Sequence, residues 1–304
     1  MRAVDLFAGA GGFTTGARMA GCRVLYAANH WPLAVQYHAA NHPDTEHACQ
    51  DLQQADFREA PAHDLLLASP ACQGHSPARG KERPHHDAQR ATAWAVVTCA
   101  EVHRPAAVIV ENVPAYAAWV LYPAWCAAMH ALGYALAPIV LDAADSGVPQ
   151  HRRRLFVVAT RSKHPIALDL PRREHVPASS AICLTSGKWS PIDKPGRSPR
   201  TMARIEAGRR AFGSRFLAPF YGSGSGTTGR SLDRPIGTLT TRARWALIDG
   251  DRMRMVSAVE GRSLMGFPGG YQLPANEAQA WHLIGNAVAP VQACDVIQAL
   301  RRAA

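Results

Sequence analysis

The first 160 residues alternate short runs of apolar residues with longer stretches of helical periodicity. The apolar runs predict β-strands buried on both faces, at residues 4–7, 23–26, 64–68, 107–110 and 155–158. The helical stretches between or beside them cover residues 14–20, 33–40, 88–102 and 119–132. This alternation is typical of an α/β fold, with a doubly wound, mostly parallel sheet and helices on both faces.

A second region begins near Arg161, where Pro, Ser, Gly and Arg replace the regular periodicity. Residues 287–301 then have helical periodicity again. Because such a C-terminal helix has an apolar face to bury, we expect it to return to the first sheet. We therefore predict a large domain from residues 1–162 and 282–304, and a smaller, loop-rich lobe from residues 163–281.

Positive charge is concentrated in the second region. The chain has 33 Lys and Arg against 23 Asp and Glu, a formal net charge of +10. Between Arg161 and Arg230 there are 13 Lys and Arg against 4 Asp and Glu, which is +9 for this stretch alone. A solvated basic surface would have this composition, and so would a lobe that binds a phosphate backbone.

Composition also limits the class of protein. No apolar run reaches the roughly 18 residues that a membrane helix needs, and the N-terminus leads directly into a strand pattern rather than a secretory signal. The 7 cysteines are widely spaced without a Cys-x-x-Cys pair. They predict neither a disulfide framework nor a zinc site. We expect a cytoplasmic protein that holds no metal and spans no membrane.

A glycine-rich turn follows the first strand, in the segment from Asp5 to Phe13. Glycines permit positive φ and let a ligand approach the backbone closely. Gly9 and Gly11 fit the start of a dinucleotide fingerprint, but Thr14 occupies the position of its third glycine. The turn therefore indicates a small-molecule site that is not of the dinucleotide type.

Reactive side chains follow other strands of the predicted sheet. Cys72 lies on a polar loop directly after residues 64–68, where ligands bind in doubly wound sheets. Although most cysteines are inert small apolar residues, this position favours a nucleophile. Glu111 ends a buried strand, where a carboxylate costs free energy unless it has a partner or a function. Arg152 and Arg154 share one face of the last strand.

Together these segments resemble the DNA cytosine-C5 methyltransferase family of bacterial or phage type, along nearly the whole chain. In order, they are Phe7-Ala8-Gly9-x-Gly11-Gly12, Cys72-Gln73, Glu111-Asn112-Val113 and Gln150-x-Arg152-x-Arg154, followed by residues 234–240, 264–268 and 285–288. The resemblance implies methyl transfer from S-adenosylmethionine to C5 of cytosine in double-stranded DNA. A cognate restriction endonuclease is the further partner that it suggests.

The resemblance also implies catalytic roles. Cys72 adds to cytosine C6 and raises the electron density at C5. Glu111 holds the N3 and N4 edge and protonates N3, which requires an acid of raised pKa. Arg154 holds the cytosine O2, and the positive charge of Arg152 and Arg154 favours the Cys72 thiolate. The target base must first be flipped out of the duplex.

Two further sets of residues follow from the resemblance. The expected cofactor-binding residues are Phe7, Ala8, Gly9, Gly11, Gly12, His30, Trp31, Asp51 and Asn286. The expected substrate-binding residues are Ser69, Pro70, Gln73, Asn112, Val113, Gln150 and Thr240. For Trp31, stacking on adenine and filling of the core both remain open.

Three positions depart from the family pattern. Ala71 stands before the nucleophile where proline is usual, which adds an N–H donor to the loop. His75 stands where an aromatic residue such as phenylalanine is usual. His30 precedes the tryptophan where an acidic residue usually binds the ribose hydroxyls. These departures affect the expected rate and cofactor affinity, and not the expected fold.

Three other functions would use some of the same features. An RNA cytosine-C5 methyltransferase would use the same catalytic motifs, but the distinctive motif of the family's tRNA-acting branch is absent. A cysteine hydrolase would pair Cys72 with His75, for which the sequence offers no orienting third group. A catalytically weak DNA-binding regulator is disfavoured because Cys72, Glu111 and Arg154 are all present.

Overall fold

The computed structural model describes residues 1–71, 90–221 and 229–303, and its large sheet has seven strands. They are β1 (Arg2–Leu6), β2 (Arg23–Asn29), β3 (Glu46–Cys49), β4 (Leu65–Ala68), β5 (Ala107–Asn112), β6 (Ala135–Asp142) and β7 (Arg153–Thr160), in the order β3-β2-β1-β4-β5-β7-β6. The first five pair in parallel, while β7 is antiparallel to both β5 and β6. The predicted mostly parallel α/β sheet is confirmed.

The last predicted strand is an antiparallel exception in this mostly parallel sheet. Residues 155–158 lie in β7, which runs against its neighbours because only residues 143–152 separate it from β6. Parallel neighbours need a longer crossover connection. β3 and β6 were not predicted. β3 has four residues of mixed polarity, and β6 contains Pro138, which is unusual inside a sheet.

Eight helices in the described chain accompany the two sheets. They are α1 (Gly12–Met19), α2 (Pro32–Asn41), α3 (Trp94–His103), α4 (Tyr122–Ala131), α5 (Pro199–Phe212), α6 (Ala258–Leu264), α7 (Glu277–Asn286) and α8 (Pro290–Ala303). The C-terminal α8 packs directly on α1, and a Cβ added to Gly16 would lie 2.5 Å from the carbonyl oxygen of Pro290. Val296 and Ile297 of α8 share a core with Phe13 and Ala17 of α1.

A second, antiparallel sheet lies within residues 190–255. Its strands are β8 (Ser190–Pro191), β9 (Arg215–Pro219), β10 (Trp245–Asp249) and β11 (Arg252–Met255), in the order β8-β11-β10-β9. Helix α5 lies against β9, since a Cβ added to Gly208 would lie 2.1 Å from the ring of Phe216. The sequence predicted a loop-rich lobe here and no sheet. The predicted domain boundaries stay a prediction.

Part of the positive charge of this lobe is engaged in holding it together. Arg197 donates hydrogen bonds to the carbonyl oxygens of Ile192 (3.0 Å) and Pro191 (2.7 Å). Arg209 donates to the carbonyl of Gly250 (2.9 Å) and to the Asp251 carboxylate (3.0 Å). Lys188, Lys194 and Arg200 are exposed at the surface of the lobe.

One stretch of the described chain, Glu277–Ala303, is long and apolar enough to cross a membrane. Of its most apolar window, 83% is buried inside the protein. Burial of this extent is what the core helices of a globular domain show.

Candidate active site

A cavity of about 410 Å³ opens at the carboxyl ends of β1, β2, β4 and β5. The expected site residues in its wall are Phe7, Ala8, Gly9, His30, Trp31, Ser69, Pro70, Glu111, Arg152, Arg154 and Asn286. The sheet topology brings together residues that are up to 279 positions apart in the sequence, from Phe7 to Asn286. Cys72 and Gln73 lie outside the described residues, as does His75.

The glycine-rich turn separates into two parts. Phe7 and Gly9 line the cavity with positive φ values of 60° and 54°. Gly11 and Gly12 do not line it. A Cβ added to Gly11 would lie 2.5 Å from the Tyr271 hydroxyl, and one added to Gly12 would lie 2.0 Å from the carbonyl oxygen of Val288. In the structure, these two glycines let the C-terminal segments approach the turn, and their contact with a cofactor stays a prediction.

The end of β2 forms another wall of the cavity. Asn29 Oδ1 accepts a hydrogen bond of 2.9 Å from the backbone N–H of Trp31. The Trp31 ring is partly buried and meets the His282 ring edge-on, with 5.0 Å between centroids. Trp31 therefore both packs against α7 and offers surface to a ligand. Asp51 is not in the wall, and its Oδ1 accepts from the backbone N–H of Gln53 at 3.0 Å.

Glu111 and Arg154 form an ion pair in the cavity wall. Arg154 Nε lies 3.0 Å from Glu111 Oε1, and Glu111 is only 6% exposed. Burial raises the pKa of Glu111, and the positive charges of Arg154 and Arg152 and the Ser69 hydroxyl offset part of that rise. The arrangement therefore holds an acid that retains its proton more readily than an exposed glutamate does.

Arg152, expected to be catalytic, has a different set of partners. Its Nη1 donates to the carbonyl of Leu239 (3.1 Å), and its Nη2 donates to the carbonyls of Gly285 (2.9 Å) and Ala287 (2.9 Å). The residue is 1% exposed. Because these bonds engage both terminal nitrogens, Arg152 joins β7 to the two segments that close the cavity. Its positive charge also acts on Glu111, whose pKa it lowers.

Gln150 and Thr240, expected to bind substrate, are also engaged within the protein. Gln150 is fully buried, with Oε1 accepting from the N–H of Leu239 (2.8 Å) and Nε2 donating to the carbonyl of Leu264 (3.3 Å). The Thr240 hydroxyl donates to the carbonyl of Arg242 (3.1 Å). Neither residue lines the cavity. Gln150 therefore fixes neighbouring segments, because its amide has no polar atom left over.

The side chains of Asn112 and Thr92 hold the loop after β4. Asn112 Nδ2 donates to the carbonyl of Pro70 (3.1 Å), and Asn112 Oδ1 accepts from the N–H of Val113 (2.9 Å). The N–H of Ala71 donates to the Thr92 hydroxyl (3.1 Å). A proline at position 71 could not form this second tie, because it lacks the N–H. The departure from the family pattern thus has a structural counterpart in Thr92.

Several cavity residues were missed by the sequence-based prediction. They are Asp5, Phe13, Asn29, Ala34, Ala71, His282, Leu283, Ala287 and Val288. Asp5 had a visible signal, as a charged residue between the apolar Val4 and Leu6 of β1. His282 and Leu283 had none, because only the tertiary packing of α7 brings them to the cavity.

Comparison with known proteins identifies the family of the chain. A family model described as C-5 cytosine-specific DNA methylase matches residues 1–188. The Type II methyltransferase M.AgeI of Thalassovita gelatinovora is 33% identical over 67% of this chain, which spans only 49% of that protein's length. M.HgiDI of Herpetosiphon aurantiacus and M.NlaX of Neisseria lactamica are each 28% identical, over 95% and 94% of this chain and 90% and 91% of their own lengths.

Solved structures share the fold over the full length. A prophage-encoded E. coli protein described as a DNA modification methyltransferase superimposes with a TM-score of 0.74 at 19% identity, covering 100% of this chain and 99% of its own. Spodoptera frugiperda DNMT2 superimposes with a TM-score of 0.71 at 17% identity, covering 99% of both chains. At such identities the likeness concerns the fold alone.

Proposed function

The chain belongs to the C-5 cytosine-specific DNA methylase family and is a DNA cytosine-C5 methyltransferase; from that premise we propose covalent catalysis by Cys72 on a cytosine flipped out of a short double-stranded target. The observation that carries this proposal is the buried Glu111–Arg154 pair, in the wall of the same cavity as Pro70 and Ala71. Those two residues lead directly to Cys72 in the sequence.

The cavity fits S-adenosylmethionine as the methyl donor. Its volume of about 410 Å³ lies within the roughly 300–1,000 Å³ of small-molecule sites. Its wall combines the aromatic rings of Phe7, Phe13 and Trp31 with a buried carboxylate oxygen, Oδ1 of Asp5, that has no hydrogen-bond partner in the described part of the chain. We assign Phe7, Gly9, His30, Trp31 and Asn286 to hold the cofactor. When bound, the cofactor supplies the methyl group.

The protein residues then perform the remaining steps. The Cys72 thiolate forms a bond from Sγ to C6, while Glu111 gives its proton to N3. Arg154 keeps Glu111 in place and donates to the cytosine O2. After methylation, the C5 proton passes to water, the Cys72 thiolate leaves C6 and the N3 proton returns to Glu111, which restores the aromatic ring and the acid. Burial of Glu111 supports this role, because it keeps the acid protonated closer to neutral pH.

The small lobe is proposed to contact the DNA. Its exposed Lys188, Lys194 and Arg200 support binding to phosphates. We also propose a cytoplasmic enzyme of a restriction–modification system that protects DNA beside a cognate restriction endonuclease. The Type II methyltransferase relatives support that proposal, as does the absence of a disulfide among the described cysteines.

Nucleoside analysis tests the proposed substrate against the alternatives. The protein is incubated with labelled S-adenosylmethionine and, separately, with double-stranded genomic DNA and total RNA. We expect 5-methyldeoxycytidine from the DNA and no labelled 5-methylcytidine from the RNA. Labelled RNA alone would establish the RNA methyltransferase instead, and no labelled nucleoside from either polymer would favour the regulator. Bisulfite sequencing of DNA from expressing cells then gives the target sequence.

His30 provides a prediction about cofactor affinity. Its side chain is exposed in the cavity wall, at the position where the family usually has an acid. A carboxylate there accepts from both ribose hydroxyls, and each charge-assisted hydrogen bond contributes about 1.5–3 kcal/mol. His30→Glu is therefore expected to tighten S-adenosylmethionine binding by about tenfold or more, measured by calorimetry.

The matched control for this prediction is His30→Gln, which has the length of glutamate without its charge. It is expected to leave the affinity near that of the unmodified protein. Equal affinities of all three proteins would mean that His30 faces away from the ribose.

A further inference from the structure

A buried carboxylate in the cavity wall has no counter-ion among the residues that the structure describes. Asp5 is 0% exposed in the centre of the sheet. Its Oδ2 accepts hydrogen bonds from the backbone N–H (3.1 Å) and the hydroxyl (2.7 Å) of Thr14. Its Oδ1 has no hydrogen-bond partner among the described residues. Burying a charge without a partner is costly, so this carboxylate requires either a proton or a positively charged ligand.

A chain of hydrogen bonds connects Asp5 to the protein surface. The Thr14 hydroxyl lies 2.7 Å from Asp5 Oδ2 and 3.1 Å from His38 Nε2. His38 Nδ1 in turn lies 2.7 Å from His47 Nε2. Thr14 and His38 are buried, while His47 is partly exposed. Every atom of the chain can both donate and accept, so a proton can pass along it by exchange of tautomers.

We propose that Asp5 is the counter-ion for the positive charge of the bound cofactor, and that its proton leaves through Thr14, His38 and His47 when the cofactor binds. This inference rests on the proposed use of S-adenosylmethionine. While Asp5 is protonated, its Oδ2–H donates to the Thr14 hydroxyl, which donates to His38 Nε2. On cofactor binding the Oδ2–H proton moves to Thr14, the Thr14 proton moves to His38 Nε2, the Nδ1 proton of His38 moves to His47 Nε2, and His47 releases its other ring proton to solvent. The Thr14 hydroxyl then donates to the Asp5 carboxylate. Both histidines are neutral before and after, and only their tautomers change.

The surroundings of Asp5 support a carboxyl group that changes its charge. Burial raises the pKa of Asp5 to about 7, and the two hydrogen bonds from Thr14 offset only part of that effect. Burial likewise lowers the pKa of His38, which keeps it neutral. The other titratable and charged groups around Asp5 are Glu111, Arg152, Arg154, His30 and His282 in the cavity wall, and His42 and Tyr271 behind the turn.

Calorimetry of Asp5→Asn tests the counter-ion role. Asparagine keeps an acceptor for Thr14 but has no charge. At pH 8 we expect it to weaken S-adenosylmethionine at least about tenfold, while the affinity for the uncharged fragment 5′-methylthioadenosine stays unchanged. S-adenosylhomocysteine, which lacks the sulfonium charge, is the third ligand. If Asp5→Asn weakens S-adenosylhomocysteine binding as much as S-adenosylmethionine binding, Asp5 faces the ammonium group. If S-adenosylhomocysteine binding is unchanged, Asp5 faces the sulfonium.

Proton release provides a second readout. Binding to the unmodified protein, measured in buffers of different ionisation enthalpy, should release about half a proton at pH 7, and binding to Asp5→Asn none. Equal S-adenosylmethionine affinity in both proteins, or a parallel loss for 5′-methylthioadenosine, overturns the proposal. Failure of the unmodified protein to bind S-adenosylmethionine at any pH would instead refute the proposed function.

Thermal unfolding separates this role from a structural one. An acid with a raised pKa holds a proton in the folded state that the unfolded state has lost, so stability falls as pH rises from about 4 to 7 and stays low above it. Asp5→Asn should therefore raise the melting temperature of the ligand-free protein at pH 8. A lower melting temperature would mean that Asp5 serves only to anchor α1.

The proton path has its own matched pair of variants. Thr14→Val breaks the chain and removes a bond that lowers the pKa of Asp5, so the pH at which S-adenosylmethionine affinity is half-maximal should rise. Thr15→Val is the control, because the Thr15 hydroxyl bonds to the carbonyl of Gly11 and not to Asp5. In a stopped-flow experiment with a pH indicator, His47→Phe should release the proton later than it binds S-adenosylmethionine. The proton path would be overturned if Thr14→Val and Thr15→Val shifted the pH of half-maximal affinity equally, or if His47→Phe released the proton without delay.

Discussion

Replacement of Glu111 by glutamine is expected to lower the single-turnover rate of methyl transfer by a factor of about 10²–10⁴. Glutamine has nearly the shape of glutamate but cannot give a proton to N3. The pKa of Glu111 is raised by burial, so the protonated form persists to higher pH than in an exposed glutamate. The rate of the unmodified protein should accordingly fall as pH rises through that raised pKa, and this dependence should be lost in Glu111→Gln.

Two measurements keep this prediction specific to the chemistry. Calorimetry should give an unchanged affinity for S-adenosylmethionine, because the pair with Arg154 concerns the substrate base. The exposed Glu101 supplies the control, and Glu101→Gln should retain the full rate. A rate for Glu111→Gln within tenfold of the unmodified protein would remove Glu111 as the acid.

The second large effect is expected at Arg152, on stability rather than on chemistry. Arg152→Met deprives the buried carbonyls of Leu239, Gly285 and Ala287 of their donor. Since each buried carbonyl left without a donor costs about 1–3 kcal/mol, the free energy of unfolding should fall by at least about 3 kcal/mol. Urea unfolding followed by circular dichroism measures the change.

Arg154→Met is the matched comparison, two residues further along the same strand face. Arg154 pairs with Glu111. Its one other hydrogen bond within the described chain goes to the carbonyl of Arg153. We expect a small loss of stability and a large loss of rate, because Glu111 is no longer held in place. If Arg152→Met instead left the stability intact and abolished the rate of methyl transfer, the structural role that we assign to Arg152 would be wrong.

These two arginines illustrate how far the sequence could predict the site. Alternation along a strand correctly puts Arg152 and Arg154 on one face, and both line the cavity. It could not distinguish their partners, because the carbonyls of Gly285 and Ala287 lie more than 130 residues away. The partners of Gln150 could not be predicted either, because the residues that hydrogen-bond to its amide, Leu239 and Leu264, are also distant in sequence.

The fold shows a similar division. Continuous apolar runs predicted the central strands, because strands buried on both faces have a distinct composition. The four residues of β3 carry no such signal, and the antiparallel entry of β7 depends on the short link from β6. The sheet of the small lobe was missed because its strands are short and separated by Gly- and Pro-rich segments.

The central claim, covalent catalysis by Cys72 on DNA, is tested most directly by trapping the enzyme on DNA that contains 5-fluorocytosine. Fluorine at C5 cannot leave as a proton does, so the bond between Cys72 and C6 should survive denaturation. The control is Cys183→Ala, since Cys183 is exposed and hydrogen bonds from Ser186 and Thr185 lower its pKa to about 7.

With S-adenosylmethionine present, the unmodified protein and Cys183→Ala should both form the complex, Cys72→Ala should form none, and peptide mass spectrometry should locate the base on Cys72. An adduct that persists in Cys72→Ala, or that maps to another cysteine, would contradict covalent catalysis by Cys72.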